Sequence, residues 1–120
     1  LEAAEHLLVL PRPPTAIFAS NDDMASAVVS VAHRRGLLVP SDLSVVGFDD
    51  TTASTMVWPE LTTIHQPVAQ MADTAIDLLL REIRRNGATG QSAGSHVLAH
   101  QLVARASVST PGRAMPFMHG

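Results

Sequence analysis

The amino-acid sequence predicts an α/β fold, a parallel sheet flanked by helices. Short apolar runs at 16–19, 43–48 and 61–66 read as strands, and helical stretches at 22–35 and 68–85 separate or follow them. Strand, helix, strand, strand, helix in that order implies parallel strands covered by helices. Each strand also ends in a polar cluster, at Asn21-Asp22-Asp23, Asp49-Asp50 and His65-Gln66.

Taken in order, residues 1–9 read as the tail of a helix, stopped by Pro11, Pro13 and Pro14. Ala16-Ile17-Phe18-Ala19 is short and apolar, fit for a strand buried on both faces. Small polar side chains at 21–23 suit the start of the next helix. Gly36 suits its left-handed end, with Arg34 and Arg35 at the negative pole. Pro40-Ser41-Asp42 makes a turn, and Leu43 to Phe48 a second buried strand. Residues 51–60 read as irregular, and Leu61 to Gln66 as a third strand stopped by Pro67. Val68, Met71, Ala72, Ala75, Leu79 and Ile83 then mark one face of a helix. A Gly/Ser-rich loop follows, one or two strands within 96–108, and a flexible tail at 111–120.

Composition narrows the function. The chain has 120 residues, 46% apolar and 16% charged, which sets aside a disordered tail or a coiled coil. Its net charge is −3, unlike the basic footprint of a nucleic-acid-binding domain. Without cysteine there is no disulfide, thiolate metal site or Cys nucleophile. No apolar run is long enough for a membrane span. The first residues, and the lack of an initiator Met, suggest a piece of a larger protein.

In open parallel sheets, ligands bind beyond the carboxyl ends of the strands. Asn21 and Gln66 offer donors and acceptors, and an ionised Asp49 offers acceptors only. That set suits a hydroxyl-rich small molecule such as a sugar or nucleoside. The plainer alternative is that Asn21 or Asp22 only caps a helix and Asp49-Asp50 only begins a turn. Enzyme chemistry is not expected. Phosphoryl-transfer sites of the receiver type need a Lys that the chain lacks, and neither a phosphate-cradling loop nor a nucleophile elbow is present. His96 and His100 would lie roughly 13 Å apart on a strand, too far for one ion, so no metal or cofactor is expected.

The helix at 22–35 is apolar nearly all round, through Met24, Ala25, Ala27, Val28, Val29, Val31 and Ala32. Such a helix is buried on all sides, by its own chain or by a second subunit. Met24, Ala25, Val28 and Val29, with Met56, Val57 and Trp58, are the candidate dimer interface.

These residues fall into four blocks. Pro14 to Asp22 leads into Met24-Ala25, and Arg35-Gly36-Leu37 precedes Val39-Pro40. Asp42 to Asp50 and Leu61 to Pro67 complete the set. In this order and spacing, over about residues 10–110, they resemble the LacI/GalR family of bacterial transcription regulators. The resemblance implies the C-terminal lobe, in part, of a type I periplasmic-binding-protein-like effector core. Residues 1–110 would form the effector-binding and dimerisation part. The strand at 61–66 would cross between lobes, and the helix at 68–85 would belong to the otherwise missing N-terminal lobe.

The resemblance also implies Asn21, Asp49 and Gln66 as effector contacts, with Asp22 and Asp50 structural. It implies a homodimer, a cytoplasmic location, and operator DNA bound through a helix-turn-helix outside this chain. A fragment of a transporter's sugar-binding solute-binding protein is the alternative. The apolar face at 68–85 is expected to be covered, by the chain's own sheet or a neighbouring subunit.

Overall fold

A computed structural model describes residues 2–85 and 95–111. The Gly/Ser-rich loop expected at 87–94, and all but the first residue of the tail expected at 111–120, fall outside the described residues. In order, the elements are α1 (Glu2–Leu8), β1 (Ala16–Phe18), α2 (Asp22–Arg34), β2 (Ser44–Val46), α3 (Ala53–Met56), β3 (Thr63–His65), α4 (Val68–Arg84) and β4 (Gln101–Val103). The chain forms two compact units, residues 66–101 and the remainder.

In the first unit β1 and β2 pair in parallel, with Ala16 opposite Ser44, Ile17 opposite Val45 and Phe18 opposite Val46. Parallel bridges from Val46 to Thr62 and from Asp49 to His65 bring the β3 segment alongside β2. The amides of β2 and its extension divide by parity, as the pleat requires. Ser44 donates to Thr15 O on the β1 side, whereas Val45, Gly47 and Asp49 donate to Ser107, Thr62 and Ile64. This places β2 at the centre, and β3 pairs with β4.

The core joins α2 to the sheet. Ala25, Val28, Val29, Val31 and Ala32 of α2 are buried with Leu43, Val45 and Leu61. The helix begins at Asn21, whose Oδ1 accepts from Met24 N at 2.8 Å. It ends in a Schellman motif: Gly36 takes φ +72°, its amide donates to His33 O, and that of Leu37 donates to Ala32 O.

Several expectations need correction. Ala16 is exposed and Phe18 is 64% exposed, so β1 is not buried on both faces. Ala16 and Phe18, two residues apart, share the exposed face of β1, where Phe18 meets only the Phe48 ring edge-to-face at 6.4 Å among the described aromatics. Residues 51–60 are not wholly irregular, since they hold α3. Nor is α2 buried all round: Met24 is 52% exposed, and Asp23 and Ser30 face solvent. Ala25, Val28 and Val29 instead fill the unit's own core.

The second unit carries α4. No residue of this helix is buried, and Leu79 and Ile83 are 61% and 63% exposed. Within the single chain, the apolar face of α4 that was expected to be covered is therefore exposed.

Candidate functional site at the carboxyl edge of the strands

Parallel pairing decides which residues share an edge. Asn21 lies three residues past Phe18 and Asp49 three past Val46, and Phe18 and Val46 are partners. Both therefore leave the sheet at its carboxyl end. The Asp49 amide is fixed to Ile64 O at 2.9 Å, beside His65. Gln66, the next residue, opens the second unit, and its carbonyl accepts from Val68 N at 2.8 Å.

The capping role weighed for Asn21 is real and uses its Oδ1. The chemistry it adds to the edge is thus chiefly that of the Nδ2 donor. Asp49 has φ 100° and Asp50 φ 56°, two successive L-residues in the left-handed half of backbone space. Asp tolerates that region better than most residues, yet each such position costs about 1–3 kcal/mol and needs surrounding structure to hold it.

Asp22 does more than begin a helix. Its fully buried carboxylate accepts from Thr51 N at 2.6 Å and Thr51 Oγ1 at 3.2 Å through Oδ2, and from Thr63 Oγ1 through Oδ1. It joins the start of α2 to the loop after β2 and to β3. Gly47 permits this approach, because a Cβ there would collide with Asp22 Oδ1.

Asp50 is the second junction. Its Oδ1 accepts from Arg105 Nη2 at 2.7 Å, and its Oδ2 lies 3.1 Å from His65 Nδ1. The Arg105 hydrogen bond, opposed by burial and assisted by His65, holds the Asp50 carboxyl below its ordinary value of 3.8. Arg105 Nη1 also donates to Leu61 O at 2.9 Å and Ser54 Oγ at 3.0 Å. The sequence reading missed Arg105. No local motif surrounds it, and its partners are 44 to 55 residues away.

Met56 and Trp58 are 80% and 78% exposed. Met56 lines a groove together with Val57, Ala53 and the Asp23, Ser26 and Ser30 side of α2, and Met24 on the same helix is 52% exposed. Among the described residues, no group of three or more His, Asp or Glu could hold a metal ion.

A parallel-sheet lobe with polar side chains at its carboxyl edge belongs to a class of ligand-binding α/β domains. The chain belongs to the periplasmic binding protein-like domain family, whose model matches residues 1–108, and within it to the LacI/GalR type. It is 40% identical over 117 residues to the HTH-type transcriptional repressor CytR of Escherichia coli, covering 96% of this chain and 32% of CytR. Solved structures agree. A complex of the transcriptional regulator CelR with cellobiose superposes with TM-score 0.77 and 34% identity, over 88% of this chain and 32% of that one. A dimeric Lac repressor with an 11-residue C-terminal deletion gives TM-score 0.78 and 33% identity, over 92% of this chain and 39% of that one. The chain spans about a quarter to a third of the length of the curated relatives it matches.

Proposed function

We propose that this chain is the effector-binding and dimerising part of a LacI-type transcriptional regulator, that its effector is a sugar or related small polyol, and that Asn21, Asp49 and Gln66 contact it. The observation that carries the reading is the emergence of Asn21 and Asp49 from partnered positions of two parallel strands at one edge. An amide donor beside a carboxylate acceptor is complementary to a hydroxyl pair, and bonds to the carboxylate are the stronger. Asp49's left-handed backbone supports it, since strain of this kind gathers at ligand clamps. The cellobiose held by CelR is a ligand of the chemistry this edge suits. Gln66 is the contact that the resemblance adds.

The mechanism is a population shift without bond chemistry. An effector that prefers one lobe arrangement moves the equilibrium by no more than its differential affinity. In the whole regulator this shift governs operator binding through a helix-turn-helix outside this chain. The unit at 66–101, with α4, is then part of the second lobe, and residues 1–65 with the segment up to 110 belong to the C-terminal lobe. The dimer face is formed by Met24, Met56, Val57 and Trp58, over a core containing Ala25, Val28 and Val29. The reading carries a cytoplasmic location. Among the described residues, no helix is long and apolar enough to cross a membrane. The transporter alternative is not favoured, because similar curated proteins such as CytR and the probable repressor ExuR are transcriptional repressors.

Asp49→Ala in the full-length regulator tests the site. Sugar affinity, measured by calorimetry across a panel that includes cellobiose, is expected to fall about 100-fold, the loss of charge-assisted hydrogen bonds. Asp49→Asn, which tolerates φ 100° as Asp does and removes only the charge, is expected to lose affinity as well and separates the effect from backbone strain. An unaltered dose response defeats the assignment.

A further inference from the structure

We propose that Arg105 is a positioning residue, whose guanidinium holds the Asp49–Asp50 loop in the conformation that presents the Asp49 carboxylate at the strand edge. Its functional meaning rests on the reading of Asp49 as an effector contact, but its test does not.

The loop is pinned on both sides. Before it, the Asp49 amide donates to Ile64 O at 2.9 Å, and after it the Thr51 amide donates to Asp22 Oδ2 at 2.6 Å. Between these points the backbone runs through φ 100° and φ 56°, a path that neighbouring structure must impose. The Asp50 side chain provides the hold. Its Oδ1 meets Arg105 Nη2 at 2.7 Å, and its Oδ2 meets His65 Nδ1 at 3.1 Å.

Arg105 is itself fixed. Its Nη1 binds Leu61 O and Ser54 Oγ, its backbone amide donates to Thr62 Oγ1 at 3.0 Å, and its side chain is only 18% exposed. One planar fork thus ties the loop after β2 to α3 and to the start of β3. A Lys could keep the charge but not this geometry. The guanidinium reaches Asp50, the neighbour of Asp49, so its hold acts on the loop that carries Asp49.

Amide hydrogen exchange and the Asp49 HN–Hα coupling, both read by NMR without ligand, test this in the protein and in Arg105→Met and Arg105→Lys. In Arg105→Met the Asp49 amide is expected to exchange about tenfold faster, with a shift in its coupling. The Ala19 and Ser44 amides of the β1–β2 ladder should change much less, because the opening is local. Arg105→Lys should restore part of the protection. Asp50→Asn, which keeps the guanidinium, should reproduce the Asp49 effect and decides the matter if Arg105→Met does not fold. Unchanged Asp49 protection, or a loss shared equally by Ala19 and Ser44, overturns the proposal. A failed Asp49→Ala sugar test would leave this exchange pattern intact, so the two readings fail separately.

Discussion

A carboxylate withdrawn from water is costly unless its lone pairs find donors. Asp22 is fully buried, and it meets that condition with the Thr51 amide and the hydroxyls of Thr51 and Thr63. Removing the acceptor strands a backbone donor and a buried hydroxyl, so Asp22→Ala is expected to lower unfolding stability by about 3 kcal/mol. Urea denaturation measures it as a lower midpoint with an unchanged slope. A change under about 0.5 kcal/mol, the range of an ordinary surface substitution, would show that Asp22 is not the junction described. The Asn21 cap was readable in the sequence, because a cap is local. Asp22's partners lie 29 and 41 residues away, and no spacing rule reaches that far.

Among the elements, the two longest helices were legible, α2 from its punctuation and α4 from its periodicity as well. Asn21 and Gly36 bracket α2, and Pro67 precedes α4. The strands were legible in position but read too long. Ladder pairing, which apolar runs do not encode, confines each to three residues. The helix α3 escaped notice because Thr51, Thr52, Ser54 and Thr55 are poor helix formers. Tertiary contacts support it instead, with Ser54 O accepting from Leu61 N and Ser54 Oγ from Arg105.

The Asp50–Arg105 pair links these elements and has a pH signature. Asp50's folded pKa is lowered, chiefly by the Arg105 hydrogen bond. Its contribution is therefore present above the unfolded value and fades as pH falls through the folded one. Against Asp50→Asn, the protein is expected to hold an advantage of about 2 kcal/mol at neutral pH. That advantage should shrink below about pH 5, as paired carboxylates protonate. Urea titrations of both proteins across this range check it, and a difference independent of pH would contradict it.

At the scale of the whole molecule, two exposed apolar surfaces among the described residues bear on assembly. One is the α4 face, whose pattern was plain in the sequence although its covering was not. Periodicity shows that a face is apolar, never what lies against it. The other is the groove beside α2 that Met56 and Val57 line, with the next residue, Trp58, 78% exposed. Aromatic and Met side chains are enriched in interface cores. Trp58 is the chain's only tryptophan, so its fluorescence reports this surface alone. If the face joins two copies, emission should move to the red on dilution as Trp58 enters water, along with a fall in sedimentation coefficient. Trp58→Ala should weaken the dimer about 30-fold or more, the loss typical of a central anchor. Sedimentation detects that loss without the indole. Emission that stays red at every concentration, with a monomer throughout, would place the dimer contact elsewhere and leave the edge holding Asn21 and Asp49 unaffected.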